Sequence, residues 1–168
     1  MFHRSERLLL RPAWAEDWRA VFDGVADEAI VRNLTSAPWP YAELDAKAFV
    51  ALQDDPRYPR FIIARADDAA FIGTAALIAT GLDVELGYWI ARDRWGRGYA
   101  TEAGHAVVAI AQMLGHRTIT ADHFADNPAS GRVLRKLGFV ATGNVHDRTS
   151  RARGKAVPAV EYCLHLVP

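Results

Sequence analysis

Residues 92–103 read Arg92-Asp93-Arg94-Trp95-Gly96-Arg97-Gly98-Tyr99-Ala100-Thr101-Glu102-Ala103, two glycines and three arginines just ahead of a helix-spaced apolar stretch. The first turn of a helix carries N–H groups without partners and the positive end of the helix dipole, and glycines let an anion approach that backbone closely. A pyrophosphate would fit such a cradle, and the three guanidinium groups would favour a phosphate-rich ligand. The same residues would equally serve a tight turn under a solvated basic loop. A P-loop is excluded, because no glycine is followed after four residues by Gly-Lys-Ser/Thr. A dinucleotide fingerprint would want a third small residue where Thr101 stands and would follow its strand at once, whereas residues 91–95 intervene here. Asp122, after the next strand, keeps that reading open.

The cradle must be held between a strand and a helix. Residues 84–91 supply the strand, and residues 99–114 supply the helix, with Ala103, Ala106, Val107, Ile110, Ala111 and Leu114 on one stripe and Gly115 past its end. Upstream, 7–12 reads as a strand ended by Pro12 and 14–25 as an amphipathic helix. A second helix over 43–53 turns Leu44, Ala48, Ala51 and Leu52 to one face, and Asp54-Asp55-Pro56 stops it. Residues 61–66 and 71–78 form a hairpin about Asp67-Asp68. Downstream come a strand over 118–121, a helix opened by Asn127-Pro128 and closed by Gly138, and strands over 139–145 and 157–167 around a basic loop, 148–155. This order belongs to one mixed α/β (α+β) domain spanning 1–168, with a central, mostly antiparallel sheet of about seven strands flanked by helices.

The 168 residues are 51% hydrophobic and 24% charged, an ordinary globular balance, and no apolar run reaches the roughly 18 residues of a membrane span. The start of the chain lacks the apolar core of a signal peptide. Cys163 is the one cysteine, which excludes an internal disulfide and suits a reducing compartment, so the expected location is the cytoplasm. A net charge of zero argues against nucleic-acid binding through a globally basic surface. Residues 1–85 nevertheless hold 14 acids and 9 bases, which gives the two halves opposite charge. The six histidines show no metal-ligand spacing, and no metal is expected.

A second segment decides between the phosphate readings: Asn127-Pro128-Ala129-Ser130-Gly131-Arg132-Val133-Leu134-Arg135-Lys136-Leu137-Gly138-Phe139. Together with Tyr88-Trp89-Ile90 and the cradle, it resembles the GNAT superfamily of N-acetyltransferases, in its RimJ/RimL-like branch. Glu6-Arg7-Leu8-Leu9-Leu10-Arg11-Pro12 is similar to that branch's first strand. Trp95 stands where the superfamily commonly has Arg or Gln. The resemblance implies acetyl-CoA as cosubstrate, with its pyrophosphate on Trp95, Gly96, Arg97, Gly98, Tyr99, Ala100 and Thr101. Backbone groups around Tyr88, Trp89 and Ile90 would run beside the pantetheine arm as an added strand does, one N–H polarising the acetyl carbonyl. Asn127 would bond the pantetheine or cap its helix, and Lys136 would lie near the phosphorylated end or be solvated.

Direct transfer in a ternary complex needs a neutral amine, a donor for the oxyanion and a proton for the departing thiolate. Glu85, on the strand leading to the cradle, is the candidate base, or else an exposed strand carboxylate. The superfamily's common acid tyrosine is replaced by Leu134, so Ser130 becomes the candidate for protonating sulfur, or else a helix-start serine bonded to backbone. Tyr162 and His165 are further candidates, and Cys163 reads as a small strand residue. Trp39 and Tyr41 form either a wall of the acceptor pocket or part of the core. The acceptor is a primary amine, on a protein N-terminus or a small molecule, and the protein is a monomer or homodimer. At pH 7 an α-amine of pKa near 8 is about one tenth neutral, and a lysine near 10.4 about one part in a few thousand. A catalytically silent acyl-CoA-binding or sensor module is the alternative.

Overall fold

In the computed structural model, which describes residues 1–166 except Asp54 and Leu82, the apolar periodicities become strands and helices stacked around one sheet. Asp54, Val167 and Pro168, read above as part of a helix stop, a strand end and the domain end, lie outside the described residues. The chain runs β1 (His3–Arg4), β2 (Leu8–Arg11), α1 (Trp18–Val25), α2 (Glu28–Val31), α3 (Glu43–Val50), β3 (Arg60–Arg65), β4 (Phe71–Thr80) and β5 (Asp83–Ile90). It continues through α4 (Tyr99–Met113), β6 (Thr118–Phe124), α5 (Pro128–Lys136), β7 (Val140–Ser150) and β8 (Lys155–His165). The sheet order is β1-β2-β3-β4-β5-β6-β8-β7, antiparallel except where β5 meets β6.

The sheet is buried on both faces at β3, which is therefore a continuous apolar run. Phe61 and Ile63 join the core beneath α4 and α5, with Ala103, Val107, Ile110 and Leu134. Ile62 faces the other way, onto Val21, Val25, Ile30, Val31 and Ala46 of α1 to α3. Burying each of the Val, Leu, Ile and Phe side chains is worth about 1.5–3 kcal/mol, and two helical layers on one sheet give the mixed α/β architecture read from the sequence.

Several boundaries differ from the sequence reading, each for a physical reason. Among the described residues the sheet has eight strands because His3–Arg4, too short to show a period, pairs with β2. Residues 15–17 form a 3-10 turn before α1, fixed by Asp17, whose carboxylate accepts two 2.7 Å bonds from Arg11 and one of 2.7 Å from the Trp14 N–H. The four-residue α2 begins where the Asp27 carboxylate accepts the Ala29 N–H at 2.8 Å. In α3 the inward residues are Ala46, Phe49 and Val50, and Leu44 is 76% exposed. The expected basic loop is mostly strand: β7 and β8 pair as far as Ser150 with Lys155, leaving 151–154 as the turn. Cross-strand pairing overrides the polar composition there.

One departure from regularity builds the site. β5 pairs with β6 only at Val84 with Ile119 and Glu85 with Thr120, although both strands continue. Beyond Glu85 they separate into a wedge, with Leu86–Ile90 of β5 on one side and Ala121–Phe124 of β6 on the other.

Candidate active site

The wedge opens toward the glycine loop. A 3-10 turn, Arg92–Arg94, follows β5, and the Trp95 indole N–H donates to the Ile90 carbonyl at 2.7 Å, fastening the turn back on the strand. The Trp95 side chain is therefore a latch for the loop. Gly96 and Gly98 have φ of +73° and +79°, a left-handed region that strains any residue with a Cβ. Gly98 is the N-cap of α4 and supplies no side-chain cap, and the Glu102 N–H bond to the Gly98 carbonyl (3.0 Å) is the helix's first. The N–H groups of Tyr99, Ala100 and Thr101 therefore precede the intrahelical ladder at the head of a 15-residue helix.

Arg7 braces this loop from the β1–β2 connection. It donates to the Arg97 carbonyl at 3.1 Å and to Glu102 from its Nε and its backbone N–H, both at 2.7 Å, and the Ser5 hydroxyl donates to the same carboxylate at 2.7 Å. Burial alone would raise the Glu102 carboxyl, but these bonds hold it below its ordinary value.

Along the wedge, strand alternation decides which peptide groups face the opening. The Ala91 N–H donates to the Ile72 carbonyl at 2.9 Å, so the peptide groups of Trp89 and Gly87 turn to β4 and those of Tyr88 and Ile90 turn away from it. Trp89, read above with its neighbours as a backbone contact, spends its backbone on β4. Its ring packs against Phe71 at 5.7 Å and lines the adjoining cavity.

That cavity, about 480 Å³, lies on the α1–α3 side of the sheet and reaches the wedge, since Tyr88 and His123 help line it beside Thr74, Ile78, Glu85 and Gly87. Its outer wall is the α2–α3 loop, to which the β7–β8 turn is tied by Arg151 N–H to the Thr35 carbonyl (2.9 Å) and the Ser150 hydroxyl to the Leu34 carbonyl (3.1 Å). Tyr41 lines it, and burial pushes its hydroxyl up to about 12. Trp39 is 41% exposed and stands outside the lining.

Glu85 sits at the closed end of the wedge, on the cavity wall. Its Oε1 accepts from Arg148 of β7 at 2.8 Å, and the same guanidinium binds Asp122 of β6, with His146 3.5 Å from Asp122. Burial raises the Glu85 carboxyl above its ordinary value, and the Arg148 bond opposes but does not cancel that rise. Asp122, the residue that kept the dinucleotide reading open, is committed to this cluster. Nothing in the local sequence marks Arg148, which lies 63 residues from its partner and was read as loop.

On the opposite face, α5 brings Asn127 and Ser130 to the open side of β6. Asn127 stands at the N-cap position, but its side chain makes no capping bond. The Ser130 Oγ lies 2.7 Å from the Tyr88 hydroxyl, a contact across the wedge that the sequence did not reveal. Lys136 is exposed in the last turn of α5, about 13 Å of helix from Asn127. Tyr162 is buried and takes a 3.0 Å bond from Arg135, while His165 is 3.3 Å from Thr118, and neither lines the cavity.

Among the described residues, no group of three or more His, Cys, Asp or Glu side chains is placed to hold a metal ion, and no helix is long and apolar enough to cross a membrane.

The model of the acetyltransferase (GNAT) domain matches residues 7–140. The chain is 32% identical over 148 residues to a Bacillus subtilis (strain 168) protein named uncharacterized N-acetyltransferase YoaA, covering 83% of this chain and 82% of that one. A GNAT-family acetyltransferase from Bacillus anthracis shares the fold at a TM-score of 0.85, with 21% identity over 98% of both chains. RimL, a ribosomal L7/L12 α-N-protein acetyltransferase in complex with coenzyme A, shares it at 0.83, with 19% identity over 99% of this chain and 98% of that one. With its split sheet, its glycine cradle and a family match that covers most of its length, the chain belongs to the GNAT acetyltransferase family.

Proposed function

We propose that this protein transfers an acetyl group from acetyl-CoA directly to a primary amine, in a complex that holds both substrates. The observation that carries the reading is the wedge between β5 and β6, which runs from an arginine-flanked cradle to a half-buried carboxylate and opens there onto a separate cavity. A phosphorylated carrier with a narrow amide-bearing arm fits this shape. The uncapped first turn of α4 and the open space over Gly96, where an added Cβ would meet nothing within 4 Å, suit its pyrophosphate. Acetyl-CoA supplies an acetyl group as a thioester.

In this reading Trp95 to Thr101 hold the pyrophosphate, and the peptide groups of Tyr88 and Ile90 and the side chain of Asn127 receive the pantetheine arm. The Ile90 carbonyl is already taken by Trp95, so its N–H and the Tyr88 peptide group are the ones left to use. An N–H there polarises the acetyl carbonyl. Lys136 approaches the phosphorylated end. The amine enters through the cavity past Tyr41, with Trp39 near its mouth. Arg148 occupies one Glu85 oxygen, and the other collects the ammonium proton directly or through water. Ser130 donates to the departing sulfur. A modest base of this kind suits an α-amine, on a protein N-terminus or a small molecule, better than a lysine.

Titration calorimetry should show micromolar binding of acetyl-CoA, whereas heat with a nicotinamide dinucleotide and none with acetyl-CoA would contradict the reading. Coenzyme A release is then followed over N-terminal peptides, lysine peptides, polyamines and aminoglycosides. The pairing of Glu85 with Arg148 is the observation that favours a silent acyl-CoA-binding module instead. Binding with no release on any amine would establish that alternative.

A further inference from the structure

The contact between Tyr88 and Ser130 has no counterpart in the sequence reading, and it places a second hydroxyl directly behind the one proposed to meet the sulfur. A serine in the first turn of a helix ordinarily turns its hydroxyl to nearby backbone. Here the Ser130 Oγ is instead 2.7 Å from the Tyr88 Oη, and that same Oη is 3.4 Å from the Ser130 carbonyl. Tyr88 comes from β5 and Ser130 from α5, so the bond spans the wedge rather than stabilising one element.

Two hydroxyls can share a bond in either direction, and chemistry selects one. The phenol is the more acidic partner and the better donor, and burial pushes Tyr88 up to about 12, which keeps its proton in place across the working range. Both of its near neighbours on Ser130 are acceptors. With Tyr88 donating to the Oγ, the proton of Ser130 cannot point back at Tyr88 and is left to turn toward the wedge.

We propose that Tyr88 is a positioning residue: its O–H donates to the Ser130 Oγ and thereby aims the Ser130 O–H at the sulfur of coenzyme A. This rests on the reading of Ser130 as the donor to that sulfur. No proton leaves Tyr88. The thiolate freed when the carbon–sulfur bond breaks accepts a hydrogen bond from Ser130 and takes its proton finally from solvent, while the proton lost by the amine goes to Glu85 or water.

The test needs no acceptor amine. A donor aimed at a thiolate makes the thiol more acidic, so the acidity of coenzyme A bound to the protein is titrated by the ultraviolet absorbance of its thiolate. Tyr88→Phe removes one oxygen and keeps the ring packed, and acetyl-CoA affinity within about threefold of wild type certifies the fold of each variant. Tyr88→Phe and Ser130→Ala should each make the bound thiol about tenfold less acidic, the effect of losing one hydrogen bond to a charged group. The double variant should lose no more than either single one, because both changes remove the same bond. On any amine that turns over, kcat should fall about tenfold or more with little change in KM for acetyl-CoA. If Tyr88→Phe titrates like wild type while Ser130→Ala does not, the role of Tyr88 is overturned and that of Ser130 stands. Losses that multiply in the double variant overturn it too, since Tyr88 would then act on its own. If Ser130→Ala titrates like wild type, the Ser130 reading fails and takes this inference with it.

Discussion

The two chambers that meet at Glu85 are built in opposite ways. The wedge proposed for the cofactor is made largely of backbone: the peptide edge of β5, two left-handed glycines and the first turn of α4, all within residues 88–101. The cavity proposed for the acceptor is made of side chains contributed by α1, α3, the four strands β3 to β6, β7 and the α2–α3 loop. Backbone chemistry is carried by order along the chain and tolerates changes of side chain, whereas the cavity depends on partners that only the fold brings together. In the proposed function the wedge is accordingly the part to expect in common with relatives, and the cavity the part expected to select the amine.

Breaking the wedge should have the largest effect. Gly98→Glu forces a side chain into a left-handed position and adds negative charge at the helix start, so acetyl-CoA binding should fall at least a hundredfold. Calorimetry checks it, and a thermal melt near wild type shows that the loss is local.

Breaking the cavity should leave cofactor affinity intact. Arg148→Met leaves Glu85 and Asp122 facing each other without their shared cation, which should cost about 2 kcal/mol of stability by urea unfolding. It also removes the interaction that opposes the rise of the Glu85 carboxyl, so the protonated form persists to higher pH. The acid limb of kcat/KM, which the raised Glu85 carboxyl should set in the wild type, should move further up in pH.

A smaller effect sharpens the contrast, because it touches the wedge only through a brace. Arg7→Ala releases the Arg97 carbonyl and Glu102, and acetyl-CoA affinity should fall about fivefold, roughly 1 kcal/mol. In the wild type the Glu102 carboxyl is lowered on folding, so its bonds stabilise the fold above the ordinary carboxylate range and are lost as pH falls through the lowered value. Acid melting of Arg7→Ala should therefore begin at a higher pH than that of the wild type.

What the sequence disclosed follows the same division. The α4 stripe, its glycine loop and the Pro128 helix start were legible because each is a local pattern with a local cause. The outer end of the β7–β8 hairpin was not, although its inner strands were, since a polar, basic segment is held as strand by its neighbour across the turn and by bonds to Leu34 and Thr35. Glu85 was found as a carboxylate on the right strand, but its partner Arg148 and the redirection of Asp122 into the same cluster depend on contacts over 63 and 26 residues. Tyr88 was singled out for its place beside the cofactor and not for its hydroxyl, whose partner lies 42 residues away.

Whether the two chambers meet at a working base is decided by the pH dependence of Glu85→Gln. Glutamine keeps the size and the ability to hydrogen-bond but cannot take a proton. On the best amine of the panel, the rate near neutral pH should fall by about a hundredfold. It should recover in part as pH rises and the amine loses its proton to water, and the loss should be greater for a lysine-like acceptor than for an α-amine. A variant that matches the wild type at every pH would exclude Glu85 as the base and leave it as the partner of Arg148 alone.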